Sequence, residues 1–188
     1  MSETVVELLR VPIVRGRQYL CELSMRIRHI EPGDDLAVSV LLDGYFQGSG
    51  MFHMVQQLRL DQDMALECVA CKGDDLFGYL AFSKLKSPDN WWNLAIVAVS
   101  SAWRQKDADA YMIRKSLEFA REHGAQAVVV VGDPAFYTPL GFAPIAGENI
   151  ILPFGRERTQ IAYLEDTAPQ ELRRVVYPDA VGQAAKAS

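Results

Sequence analysis

The sequence predicts a single-domain α/β protein: a mixed, mostly antiparallel sheet flanked by helices. Its 188 residues suit one domain with a sizeable core. Two strand-like runs, MALECVAC and LFGYLAFSKL, are separated only by the turn KGDD and read as an antiparallel hairpin. Two apolar runs without polar alternation, WWNLAIVAVS and AQAVVVVG, bracket an amphipathic helix. Strands covered on both faces in that order make a parallel, right-handed strand–helix–strand unit.

The elements follow in chain order. Residues 1–22 form an N-terminal extension, apolar in patches but broken by Glu3, Glu7, Arg10, Arg15 and Arg17, so no signal-peptide core is expected there. This extension is expected to cover sheet as an edge strand or helix, or to help form a homodimer. LSMRIRHI, from Leu23 to Ile30, alternates like a strand, and EPGDD ends it. DLAVSVLLDGYF places Leu36, Val40 and Leu41 at helical spacing, with Asp34 or Asp35 as cap. After the glycine-rich QGSGMF, a second helix is expected around HMVQQLRL, and then the hairpin.

SPDN separates the hairpin from the run Trp91 to Ser100. The next helix, within Asp109 to His123, should bury Ala110, Ile113, Leu117 and Ala120. It should expose Arg114, Lys115, Glu118, Arg121 and Glu122, pair Arg114 with Glu118, and stop at Gly124. DPAFYTPLGF reads as a short helical turn plus loop, and TQIAYLED as a late strand. The domain spans 23–181, and 182–188 is expected to be a frayed tail.

Composition excludes several classes. With 24 acidic against 19 basic side chains, the net charge of -5 argues against a nucleic-acid or anionic-membrane surface. No run approaches a membrane-spanning length. Three cysteines make a poor disulfide framework and fit a reducing cytoplasm. Cys68 and Cys71 form a CxxC, but on a strand positions three apart point to opposite faces, so the thiols should diverge. His29, His53 and His123 show no ligand spacing, and no metal site is expected.

The residues that suggest chemistry lie between the two apolar strands and just after the second. A strand-to-helix corner at Arg104 to Ala110 is the kind of place where free backbone amides hold a phosphate. The strand LAIVAVS, this corner, the helix, the strand AVVVVG and DPAFYTPLGFAP together resemble the GNAT superfamily of acyl-CoA N-acyltransferases, most closely its YhbS-like branch. That branch carries a Gly-Asp-Pro-x-x-Tyr-x-x-x-Gly-Phe segment, matched here by Gly132, Asp133, Pro134, Tyr137, Gly141 and Phe142. YPDAV near the end is similar as well, and the likeness covers about Leu23 to Val181.

The resemblance implies a V-shaped split between the fourth and fifth strands, holding the pantetheine arm of acetyl-CoA as co-substrate. It implies that the backbone around Val97, Ala98 and Val99 binds that arm, with Val97 and Val99 helping to polarise the thioester. A small-molecule or peptide primary amine would attack directly, and Tyr137 would protonate the departing thiolate. Tyr137 otherwise packs beside Phe136 and Phe142. Trp91, Trp92 and Trp103 either line an acceptor pocket or belong to the core.

The diphosphate would fall on Arg104, Gln105, Lys106, Asp107, Ala108, Asp109 and Ala110. There the family pattern has two glycine-type positions, and this chain has Asp107 and Asp109. Glycine permits unusual backbone angles and close approach of a ligand. Two carboxylates would oppose a diphosphate by roughly 3 kcal/mol each at ~5 Å and an effective dielectric near 20. Aspartate is also a favoured helix cap. The residues therefore leave three functions open: an acyl-CoA N-acyltransferase, a catalytically silent relative acting as a binding module, and an acyltransferase using a donor that avoids the diphosphate site.

Overall fold

The computed structural model describes residues 25–47, 50–104, 107–145, 149–165 and 173–187. The expected N-terminal extension therefore lies outside the described residues, as do Leu23 and Ser24 of the first expected strand. That strand, β1, runs Arg26–His29 and is followed by helices α1, Asp35–Phe46, and α2, Met51–Leu60. The hairpin is β2, Met64–Lys72, and β3, Asp75–Lys84, and β4 spans Trp91–Val99. A short turn of helix, α3 (Ser101–Arg104), leads to the long helix α4, Ala108–Glu122. Then come β5 (Ala127–Val131), α5 (Pro134–Tyr137), β6 (Ala143–Pro144), β7 (Ile150–Ile151), β8 (Thr159–Tyr163), β9 (Arg173–Arg174) and α6 (Asp179–Ala187).

The seven-stranded sheet has the order β1-β2-β3-β4-β5-β8-β6, and β7 and β9 form a separate parallel pair. Neighbours are antiparallel except β4 with β5. On one face α4 buries Ala108, Met112, Ile113 and Ala120 against Cys68, Leu80, Phe82, Leu94 and Val128. On the other, α1 and α2 bury Val38, Leu42, Val55 and Leu58 against Val69, Tyr79, Ala81, Ile96 and Ala98. A third cluster, around Trp91, Val129, Ile150, Ile161 and Tyr177, joins the sheet to the β7–β9 pair. Cys68 and Cys71 sit in the clusters of opposite faces, so the CxxC spacing brings no thiol pair together.

Several details differ from the sequence reading. Asp34 precedes α1 but makes no side-chain cap; its carboxylate accepts from Arg28 at 2.7 and 3.0 Å and from the Glu31 amide at 2.7 Å. This pairing holds the Asp34 carboxyl below its ordinary range. The buried stripe of α4 includes Met112 and Ser116, while Ala110 and Leu117 are half-buried flanks. The rotation has a cause: Met112 lies over Gly78 of β3, where an added Cβ would sit 2.5 Å from its sulfur. The surface pair on this helix is Lys115–Glu118 at 2.8 Å rather than Arg114–Glu118. The expected tail is helical through Ala187, because Ala180, Val181 and Ala184 pack onto the α1–α2 cluster.

One buried ionic network ties α1 and α2 to the sheet. Glu67 of β2 accepts from Arg59 Nη2 at 2.7 Å, Arg59 Nε at 2.9 Å and the Tyr79 hydroxyl at 2.6 Å. Arg59 also reaches Asp35 at 2.8 Å. A buried carboxylate is tolerated only with such partners.

Candidate functional site

The sheet opens between its two central strands. β4 pairs with β3 from Trp92 to Val99, but with β5 only through Trp91, Trp92 and Asn93, opposite Ala127, Val128 and Val129. From Leu94 onward the β5-facing edge of β4 has no ladder partner among the described residues. The opening has a local cause. Ala81 faces Ile96 and Phe82 faces Leu94, which leaves Ala95 as one extra residue in β4. Such a bulge bends its strand and increases the twist.

The bulge also decides which backbone groups face the gap. Below it, the Leu85 amide donates to Trp91 O at 2.9 Å, so Trp91 and Asn93 face β3, and Trp92 and Leu94 face β5. Above it, the Ser100 amide donates to Phe77 O at 2.8 Å, which makes Ala98 and Ile96 the residues bonded to β3. The N–H and C=O groups of Val97 and Val99 therefore point into the gap. Their side chains, and that of Ala98, are packing groups.

The corner begins where β4 ends. Trp103 is buried and stacks on Phe77 with ring centres 4.0 Å apart, and the Lys72 ammonium lies 5.7 Å from its ring. Arg104 turns back toward the gap: its Nη2 donates to Val99 O at 3.4 Å, and its guanidinium lies 4.6 Å from the ring centre of Tyr45 at the end of α1. Gln105 and Lys106 lie outside the described residues. Asp107 has φ 54° and ψ 29°, the left-handed region that favours glycine. Its side chain makes no cap to α4, so the capping explanation for this residue does not hold. Ala108 is fully buried, and Ala110 is half-buried. Asp109 Oδ1 accepts from the Ala110 amide at 2.8 Å.

Tyr137 stands across the gap, and the residues around it explain the motif that carries it. Asp133 caps α5 by accepting from the Ala135 amide at 2.9 Å, and Pro134 sits in the first turn. Gly141 adopts φ 96° after the turn Thr138–Leu140, as only glycine does readily. Gly132 is required for clearance, since a Cβ there would run into the Tyr137 ring. The ring is wedged edge-on between Phe136 and Phe142, at 4.9 and 5.6 Å between centres. Burial, with added repulsion from Tyr45 and Asp109, pushes the phenol up to about 12.

Tyr45 was not foreseeable as a partner of Arg104, because nothing in DLAVSVLLDGYF marks its terminal aromatic residues as more than the end of a helix. Trp91, Trp92 and Trp103 all belong to buried clusters, which removes them from the acceptor wall. The YPDAV segment lies elsewhere: Tyr177, Pro178 and Asp179 line a hollow of about 590 Å³ with Leu152, Phe154 and Val175. Among the described residues no cluster of His, Cys, Asp or Glu suits a metal ion, and no helix is long and apolar enough to cross a membrane.

No family model matches the chain. It is 31% identical over 130 residues to the uncharacterised N-acetyltransferase YhbS of Escherichia coli K12, covering 67% of this chain and 78% of that protein. The crystal structure of E. coli YhbS, a GNAT family N-acetyltransferase in complex with CoA, superposes with a TM-score of 0.76. Identity there is 27%, over 85% of this chain and 92% of that one. A GNAT family acetyltransferase from Brucella melitensis, in complex with acetyl-CoA, shares the fold with a TM-score of 0.69 at 24% identity, over 83% of this chain and 97% of that one.

Proposed function

The chain belongs to the GNAT family of N-acetyltransferases, and on that premise we propose that it transfers an acyl group from an acyl-CoA-type thioester to a primary amine in the β4–β5 gap. The observation that carries this reading is the edge of β4 after Asn93, where the Val97 and Val99 backbone groups face the gap without a strand partner. An amide-bearing pantetheine arm fits such an edge as a substitute strand. When bound, acetyl-CoA supplies an activated acyl group and a thiolate leaving group.

The chain's own groups divide the work. Backbone N–H groups fixed on β4 stabilise negative charge on the carbonyl oxygen as the amine attacks, a term that is large in preorganised sites. Tyr137 serves the departing sulfur. Its phenol, raised to about 12, stays protonated throughout the neutral range. Full transfer to a thiolate of ordinary acidity would run uphill by about 5 kcal/mol, so the phenol acts first as a hydrogen-bond donor that holds charge on sulfur. The acceptor is a small-molecule or peptide amine, and the setting is the reducing cytosol.

The test uses purified protein, acetyl-CoA and a panel of small-molecule and peptide amines, with thiol release as readout. Tyr137→Phe should lower turnover by roughly 100-fold while leaving acetyl-CoA affinity by calorimetry unchanged. Unchanged turnover removes Tyr137 from the mechanism. A second reading, a silent member of the family that no longer binds acyl-CoA, draws on Asp107 and Asp109. Sub-millimolar binding of acetyl-CoA eliminates it.

A further inference from the structure

We infer that Gln160 is a positioning residue for the transfer step: through Thr138 it ties the segment that carries Tyr137 to the β5–β8 side of the gap. The inference rests on the role proposed above for Tyr137 and adds the side chain that fixes where its ring stands.

Gln160 occupies a position that packing alone would fill with an apolar residue. It lies in β8 opposite Val130 of β5 and two positions before Ala162, and both of those residues belong to the apolar cluster under α4. Alternate residues of a strand share a face, so the amide side chain enters the same cluster. Only 1% of the residue is exposed, and its Nε2 is buried with no hydrogen-bond partner among the described residues. A donor sealed in this way lowers stability, and an apolar side chain of the same size would remove that cost.

The other end of the amide is used. Gln160 Oε1 accepts from Thr138 Oγ1 at 3.4 Å. Thr138 directly follows Tyr137 and opens the turn Thr138–Leu140. The helical turns that meet at this junction are four and three residues long, too short to hold their own shape. Within them Leu140 alone is fully buried. No other side-chain hydrogen bond among the described residues joins Pro134–Leu140 to the sheet. The ring of Tyr137 packs between Phe136 and Phe142, but Phe136 rides on the same short segment and moves with it. The Thr138–Gln160 bond refers that segment to β8, which is paired along its length with β5, one wall of the gap. A buried amide that lowers stability is therefore matched to the contact that places the reacting group.

The test separates activity from stability. Gln160→Met keeps length and burial but removes the sealed donor, while the hydroxyl of the exposed Thr138 passes to water. Its Tm should equal or exceed that of the parent, and acetyl-CoA affinity by calorimetry should stay within about twofold. Turnover of acetyl-CoA with the fastest amine of the panel should nonetheless fall by about tenfold, in kcat rather than in KM. Thr138→Val should slow turnover to the same extent and also lower Tm, because it strands both ends of the amide. Thr138→Ser, which keeps the hydroxyl, should turn over at close to the parental rate. In a Tyr137→Phe background Gln160→Met should bring no further loss, as befits a residue that acts through Tyr137. Parental turnover by Gln160→Met beside a slow Tyr137→Phe overturns the inference and leaves the role of Tyr137 standing. A loss of turnover that follows Tm downward overturns it too, as does one that persists in full in the Tyr137→Phe background. Parental turnover by Tyr137→Phe refutes the reading of Tyr137 and this inference with it, and a parent chain that turns over no amine of the panel refutes the transferase reading itself.

Discussion

Substituting Gly132 by alanine probes the platform under Tyr137. The new Cβ would overlap the ring edge of Tyr137, which cannot retreat freely because Phe136 and Phe142 hold it on two sides. Overpacking of a close-packed site costs about 1–3 kcal/mol, and a lost aromatic edge contact adds about 0.5–1.5 kcal/mol. If part of that strain is relieved by swinging the ring outward, the net destabilisation is about 1–3 kcal/mol. For a chain of this length each kcal/mol lowers Tm by about 2–4 °C. Two measurements check this. Thermal unfolding should show the drop, and titration of ring-labelled tyrosine by NMR should show the phenol falling from about 12 toward its ordinary value of 10 as burial is lost. On the role proposed for Tyr137, acyl transfer should fall by roughly 100-fold, the loss expected when a reacting group is misplaced by ~1 Å. A variant as stable as the parent, with its phenol still titrating near 12, would refute the argument that glycine at 132 exists to clear the ring.

Arg59→Met leaves the Glu67 carboxylate buried and supported mainly by Tyr79, so unfolding free energy in urea should drop by about 3–5 kcal/mol; Asp35→Asn, at the exposed end of the same network, should cost under about 1 kcal/mol. Tyr137 makes stability fall in alkali: its native pKa of about 12 lies above the unfolded value of 10, so the contribution is complete below pH 10. It is lost as pH rises through 12, a loss of up to about 3 kcal/mol measurable by urea titration across that window. Cys68 and Cys71 should resist a thiol reagent under native conditions and form no mutual disulfide on mild oxidation; both are buried on opposite faces, and burial pushes the Cys68 thiol up to about 11.

Much of the fold was legible because its elements carry strong periodic signals. DLAVSVLLDGYF begins and ends as the helix α1 does, and MALECVAC and LFGYLAFSKL pair as the turn KGDD implied. The parallel unit and the V-shaped split were also anticipated, the split through the family resemblance. Illegible features depend on contacts between distant segments. Met112 enters the buried stripe because Gly78, 34 positions earlier, leaves room for it. Asp107 looks like a cap by residue type, yet its backbone adopts the left-handed turn and the cap bond is not made. The Arg104–Tyr45 contact joins the corner to the end of a helix on the opposite face of the sheet, and no local pattern encodes it. The extra residue Ala95 was hidden for another reason: a strand covered on both faces has no alternation for a bulge to interrupt.

That hidden residue constrains how the strand can change over time. Losing that one extra position would set Leu94 and Ile96 side by side opposite Phe82 and Ala81, a regular ladder in which every later residue of β4 keeps its partner on β3 and its layer. What would go is the bend that turns the strand away from β5. A single loss elsewhere in β4, away from the bulge, would instead send the residues beyond it to the wrong layer.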